Sequence, residues 1–257
     1  YFEHMANSAA KICRQKVETV FTALSIVNKR YGVEYKSDKI IAVSNCVKEM
    51  LINKFKINSE RVTLIPNFVD SEEIDKNHLV KIDKKEKISG CINILSIGRF
   101  HKDRAQLTLL ESVKKISENT EVSLTLIGEG EEKEKYVEYI FKNSLNVKLI
   151  PPQKDLKEYF EQADICVLAS VRDPFPGFML QSGMYKKPFI GADTDGISEL
   201  IIDNENGLLF QKKNSDELAA KIEFLIKNKT EADKFAENLH WYVMDKFTEK
   251  QVMPEIE

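Results

Sequence analysis

The sequence predicts an α/β chain, in which a parallel sheet with helices on both faces is joined to part of a second α/β unit. Three observations carry that prediction. From Gly90 onward, short β-branched runs alternate with amphipathic segments, the pattern of strands buried on both faces and linked by crossover helices. Before Gly90, two apolar runs flank a helical pattern, which marks the end of another such unit. The chain's 257 residues bury one core easily, yet are short for two complete units of this kind.

In order along the chain, residues 6–30 read as a helix, Lys39–Val43 as a strand, Cys46–Phe55 as a helix and Arg61–Ile65 as a strand. The stretch Asp75–Ser89 is mostly charged, and Lys81-Ile82-Asp83-Lys84-Lys85-Glu86-Lys87 has no sustained apolar period. It reads as a solvated linker, with a basic docking patch as the alternative. Strands are then expected near 92–97, 122–127, 147–150, 164–168, 188–191 and 207–210. Between them, Leu109, Leu110, Val113 and Ile116 recur at helical spacing, as do Leu218, Ala219, Ile222, Leu225 and Ile226, so each set marks one buried helix face. The second of these helices has Asn214 as its expected N-cap, with Glu217 reaching back toward the cap amide. The tail from Thr230 onward reads as helical and carries the only tryptophan, Trp241. It either crosses back onto the N-terminal unit or caps its own domain. The expected division is 1–75 for a partial N-terminal unit, 76–91 for the linker, 92–228 for the main α/β domain and 229–257 for the helical tail.

Composition removes several function classes. A net charge of -3 provides no broad basic field for nucleic acid. Cys13, Cys46, Cys91 and Cys166 are scattered without zinc-ligand spacing, so they read as buried thiols in a reducing compartment, with no metal site. The apolar runs are of strand length, far short of the ~20 residues that span a bilayer. The chain opens on Tyr1-Phe2-Glu3-His4 rather than on an initiator methionine, and residues upstream of it are expected.

Two segments could carry chemistry. Gly98-Arg99-Phe100-His101-Lys102-Asp103-Arg104 follows a strand and opens a helix, which gathers backbone amides and two guanidinium groups where phosphate can be held. The planar fork of Arg suits a diphosphate, although two arginines at such a turn can equally be surface charges. The second, Ser170-Val171-Arg172-Asp173-Pro174-Phe175-Pro176-Gly177-Phe178-Met179-Leu180-Gln181, is a loop that runs into a helix near Gly177. Both follow the carboxyl ends of strands, where open parallel sheets bind ligands. Gly177 would let a bulky anion approach the helix N-terminus; a plain strand-to-helix turn with Phe175 in the core is the other reading. Gly128-Glu129-Gly130 lacks the third glycine of a dinucleotide fingerprint, since Lys133 occupies that place, which argues against a nicotinamide dehydrogenase.

The order Pro66-Asn67-Phe68-Val69-Asp70, Gly98-Arg99-Phe100, Ile127-Gly128-Glu129-Gly130 and Ala163 to Ser170, followed by Asp195-Gly196-Ile197-Ser198-Glu199 and Asn206-Gly207-Leu208-Leu209-Phe210, resembles the retaining GT-B glycosyltransferases of the glycogen-synthase-like and sucrose-synthase-like superfamily. The resemblance covers residues 38 to about 228 and centres on that family's Rossmann-like donor-binding domain. It implies transfer of a sugar from a nucleotide-diphosphate sugar to a glycan or lipid-linked acceptor with retention, in bacterial-type polysaccharide or glycoconjugate synthesis, without a metal or other cofactor. It implies further that Arg99 and Arg104 hold the diphosphate, that Asp173 lies near the donor sugar and that Gln181 bonds the ribose. It implies that Gly98, Gly128, Pro176, Gly177, Phe178, Met179 and Glu199 complete the donor's surroundings, and Glu199 reads equally as a cap of the helix through Leu200 and Ile201, the two roles being expected together.

Two departures accompany the resemblance. Asp173 and Gln181 stand where the family carries two Glu with seven residues between them, and the family's Lys beside the diphosphate is Arg104 here. These motivate an alternative: a catalytically degenerate subunit of the same fold that serves as a binding or scaffolding partner. A sugar-nucleotide epimerase of the same architecture fits the Pro-Phe-Pro-Gly loop and the arginine pair less well. Of the histidines, His101 could add a donor to phosphate, whereas His4, His78 and His240 read as solvent-facing. The expected setting is cytoplasmic, at or near the inner face of the membrane through peripheral association of the N-terminal part. The early N-terminal strands and their acceptor loop are expected to lie outside this chain, so that by itself it binds nucleotide weakly and transfers little.

Overall fold

The computed structural model describes residues 18–27, 29, 35–70 and 90–255. They form two parallel sheets. The smaller holds β1 (Val20–Ala23), β2 (Lys39–Ala42) and β3 (Val62–Leu64) in that order, with Ile40 of β2 opposite Phe21 on one side and Val62 on the other. Here β1 corrects the helix expected over 6–30. Val20-Phe21-Thr22 is a β-branched and aromatic run, and its pairing with β2 outweighs the helical spacing; residues 6–17 of that expected helix, with 28 and 30, lie outside the described residues. The helix expected over 46–55 is present in two parts. These are α1 (Asn45–Glu49) and a π-helical turn over Met50–Lys54 that buries Met50 and Leu51. The charged stretch 75–89 also falls outside the described residues.

The larger sheet contains β4 (Ile92–Ile97), β5 (Val122–Ile127), β6 (Val147–Ile150), β7 (Ile165–Leu168), β8 (Phe189–Ala192) and β9 (Leu208–Phe210). All pairs are parallel, and the order is β6-β5-β4-β7-β8-β9. The chain therefore builds outward from β4 to β6 and then restarts at β7 on the other side of β4. That reversal places a crevice beyond the carboxyl ends of β4 and β7.

Helices cover both faces: α2 (Gln106–Ile116), α3 (Lys133–Lys142), α4 (Lys157–Gln162), α5 (Gly177–Met184), α6 (Asp195–Leu200), α7 (Ser215–Lys227), α8 (Lys229–Lys246) and the short α9 (Glu249–Val252). Strand alternation divides the core into two clusters. Ile94 and Val167 join Leu109, Val113 and Ile222 on one face. Leu95 and Cys166 face the other way, toward Met179, Leu180, Leu239 and Val243. This second cluster also contains Ile40, Val47, Leu51 and Val62 of the smaller unit, so the two sheets share one apolar core. Each fully buried Leu or Ile in it is worth about 1.5–3 kcal/mol relative to exposure.

Asn214 caps α7 as its sequence predicts, its Oδ1 accepting from the Glu217 amide at 3.1 Å. The Glu217 carboxylate reaches past the cap amide to accept from the Gln211 N–H at 3.0 Å. The tail follows both expected courses. First α8 lies against α5 at Gly183, where an added Cβ would come within 2.7 Å of Val243 Cγ2. The chain then crosses to the smaller unit, where the Val69 amide donates to the Phe247 carbonyl at 2.8 Å and the Glu249 amide to the Val69 carbonyl at 3.1 Å. Trp241, 67% exposed, takes no part in that join.

Candidate functional site

Three loops leave the carboxyl edge of the larger sheet and lock together. Gly98 and Phe100, after β4, donate to the carbonyls of Ile127 and Glu129 at 2.9 and 2.8 Å. This approach is possible because a Cβ on Gly128 would overlap the Gly98 carbonyl and one on Gly130 the Phe100 carbonyl. Gly128 thus serves loop packing first. The loop after β7 is held from the β4 side by the Val171 amide on the Asp103 carbonyl at 2.9 Å, and from the β8 side by the Gly196 amide on the Asp173 carbonyl at 3.0 Å. Gly196 packs so closely that a Cβ there would overlap the Pro174 carbonyl. Asp195, in the left-handed region at φ 43, accepts the Asp173 amide on its carboxylate at 3.2 Å. A non-glycine residue in that conformation is strained.

Between β4, β5 and β6 the loops leave a cavity of about 380 Å³. Ile97, Ile127, Pro152 and Leu156 give it apolar walls, while Gly98, Arg99, Glu129 and Gln153 add polar groups. Arg99 is exposed and has no ion pair among the described residues. The Arg104 stem passes Gly98, with Cδ 3.7 Å from where a Gly98 Cβ would stand. Its guanidinium turns to the β7 loop, where it donates to Ser170 Oγ at 3.2 Å and forms an ion pair with Asp173. Asp173 is buried, 5% exposed. Burial pushes its pKa above the ordinary carboxylate value, against the opposing pull of Arg104 and the Phe175 amide. Burial likewise raises Asp195, opposed by the Asp173 amide, Arg172 and Lys212.

No side chain caps the N-terminus of α5 behind Pro176, and around Gly177 there is open space where a side chain would stand. The amides of Gly177 and Phe178 in that first turn carry the positive end of the helix dipole. Gln181, half-buried one turn on, shares the Gly177 face. Phe178 and Met179 can reach a donor only through their backbone. Their side chains lie in the core, and the Met179 amide is already bonded to the Pro176 carbonyl at 3.1 Å. Pro176 is buried as well. These residues shape the helix start, whose mean polarity a ligand would feel through the backbone.

Glu199 has a capping role, though on another helix than its own. Its carboxylate caps α1 of the smaller unit, accepting from the amides of Asn45 at 2.8 Å and Cys46 at 2.7 Å. Asn67 strengthens the same boundary by donating to the Phe175 carbonyl at 3.3 Å. The Cys46 thiol lies there too, its pKa pushed up to about 11 chiefly by burial. His101 uses Nδ1 to accept the Asp103 amide at 3.2 Å, and His240 has a ring nitrogen 3.0 Å from the Gly183 carbonyl. His4 and His78 lie outside the described residues. Sequence reasoning missed Asn45, Cys46 and Asn67 as partners of the β7 and β8 loops. Nothing in the sequence signalled them, since Ser44 stands at the N-cap of α1 yet makes no side-chain cap bond, its hydroxyl lying 3.0 Å from the Cys46 sulfur.

Among the described residues no three His, Cys, Asp or Glu side chains gather as metal ligands, and no helix is long and apolar enough to cross a membrane.

Comparison with known proteins places this architecture. A family model described as glycosyl transferases group 1 matches residues 80–240, and one described as glycosyltransferase family 4 matches residues 12–73. The chain is 28% identical over 219 residues to an uncharacterised glycosyltransferase of Methanocaldococcus jannaschii, covering 82% of this chain and 57% of that protein. It is 25% identical over 250 residues to the capsular polysaccharide biosynthesis glycosyltransferase CapM of Staphylococcus aureus, covering 89% and 64%. The chain thus spans less than two thirds of the length of these relatives. Of solved structures, HepE of Anabaena in complex with UDP and glucose superposes with a TM-score of 0.85 at 18% identity, over 98% of this chain and 73% of that one. A glycosyltransferase from Rickettsia africae gives 0.83 at 21% identity, over 98% and 71%. With a family match that spans more than half of its residues, the chain belongs to the group 1 glycosyl transferases and has their GT-B-type α/β fold.

Proposed function

We propose that the chain is the donor-binding part of a glycosyltransferase that moves a sugar from a nucleotide-diphosphate sugar to a glycan or lipid-linked acceptor with retention of configuration. The observation that carries this reading is that Arg99, Arg104 and the uncapped start of α5 all follow the carboxyl ends of the neighbouring strands β4 and β7, with Arg99 lining a cavity of about 380 Å³. In the crevice beyond those strand ends the nucleotide lies in the cavity and the diphosphate lies across Gly98. Charge developing on the departing phosphate is met by guanidinium groups and by the first-turn amides of α5. No metal is needed for that neutralisation. The relatives support the substrate class, since HepE is seen with UDP and glucose and CapM is named for capsular polysaccharide biosynthesis.

Calorimetric titration of UDP, GDP and ADP tests the reading, with saturable binding and a preference for one base as the expected result. Gln181→Glu is expected to tighten the preferred nucleotide by about tenfold, because a carboxylate accepts ribose hydroxyls more strongly than an amide does. Absence of saturable heat with all three nucleotides would favour a degenerate subunit acting as a scaffold, for which the buried Asp173–Arg104 pair is the supporting observation.

A further inference from the structure

Arg104 already has an anion. Its guanidinium holds Asp173 and Ser170, while Arg99, on the other side of Gly98, is exposed and holds none among the described residues. Two cations bordering one crevice are therefore in different states. Asp173 is buried, with the Arg104 ion pair and the Phe175 amide as its partners. The neighbouring Asp195 carboxylate adds a second negative charge on its backbone side. A carboxylate so placed needs a cation close by, because breaking a buried pair leaves an uncompensated charge.

We propose that Asp173 is the resident counter-ion of Arg104, an internal anion that occupies this guanidinium until a diphosphate displaces it. The inference rests on the reading of the crevice as a nucleotide-diphosphate site. The exchange needs only a swing of the outer Arg104 torsions, since the stem already lies over Gly98 at the cavity edge. Arg99 and the first turn of α5 make the initial contacts. Arg104 joins them by giving up one anion for another, so its net contribution to diphosphate affinity is small. When the spent nucleotide leaves, the return of Asp173 to Arg104 favours release. Asp173 therefore acts through Arg104 as a positioning residue and sets how tightly a bare diphosphate is held.

The experiment titrates inorganic pyrophosphate, and separately UDP, GDP and ADP, into the chain and its Asp173→Asn, Arg104→Gln and doubly substituted forms, at one pH and low ionic strength. Asn has the shape of Asp and keeps an oxygen for the Phe175 amide, but carries no charge. Asp173→Asn is expected to bind pyrophosphate about tenfold more tightly, the scale of one charge-assisted contact. Arg104→Gln is expected to cost less than about threefold in the unmodified chain, yet to abolish the whole gain in the Asp173→Asn background. A purely structural role for Asp173 predicts weaker binding instead. Unchanged or weaker pyrophosphate binding by a cooperatively melting Asp173→Asn chain overturns the proposal. So does an Arg104→Gln loss of about tenfold or more in the unmodified chain, a measurement that stands even if Asp173→Asn does not fold. Where nucleotide binds but the gain is absent, the counter-ion inference alone fails. If neither the unmodified chain nor Asp173→Asn binds any nucleotide or pyrophosphate, the donor-site reading falls with it.

Discussion

Asp195 combines two unfavourable features at one position. Its backbone is left-handed at φ 43, and burial raises its carboxyl pKa above the ordinary 3.8. With the folded-state pKa above the unfolded one, the native state binds more protons between those two values. Stability then falls as pH rises through that window and is flat beyond it. Asn tolerates the left-handed region well, keeps an oxygen for the Asp173 amide and has no charge to bury. Asp195→Asn is therefore expected to raise the melting temperature at pH 7, with the advantage fading as pH drops toward 3. Thermal melts of both proteins at the two pH values check this, and an advantage that persisted at low pH would assign the effect to backbone strain alone. At this scale the sequence was partly legible. Residue type and loop position brought Arg99, Arg104, Asp173 and Gln181 to one sheet edge, because strand order alone determines which loops meet. The pairing of Arg104 with Asp173 was hidden, since it depends on side-chain rotamers and on burial. For the same reason the burial of the Phe178 and Met179 side chains was hidden until helix phase turned them into the core.

Elements were easier to read than contacts. The six strands of the larger sheet lie within a residue or so of their expected positions, because strands buried on both faces must be continuous apolar runs bounded by turns. The exception is β1, whose half-exposed residues give no such run and which pairs on only one side, at the edge of its sheet. The start of α7 was legible in fine detail, as the cap needs only a particular residue three positions ahead of an amide. Asn214→Ala removes the side-chain oxygen that holds the Glu217 amide, and is expected to cost about 1 kcal/mol of stability. Urea denaturation measures this directly, and an unchanged midpoint would mean that the Glu217 contact to Gln211 secures the helix start by itself.

On the scale of the whole molecule, the sequence showed two units but not how they are joined. The join is made of groups far apart in the chain, such as Glu199 on the amides of Asn45 and Cys46, and no local pattern announces it. Glu199→Ala leaves the first turn of α1 without its acceptor and is expected to cost on the order of 2 kcal/mol, as two charge-assisted bonds are lost. Hydrogen exchange should then speed up over residues 45–55, while β4 and β7 stay as protected as before. Glu199→Gln, which keeps one accepting oxygen, should fall between the two. Equal exchange in all three proteins would show that the shared apolar core alone holds the units together.

The crossing of the tail to Val69 also bears on how the protein is made. Val69 finds its partners at Phe247 and Glu249, so the smaller unit waits through roughly ten to forty seconds of ribosomal elongation before that edge is covered. During that interval apolar side chains destined for the common core stand open to other nascent chains. The contact that covers Val69 is thus made by residues translated long after it, and a cell that makes this protein has to shield that edge until then.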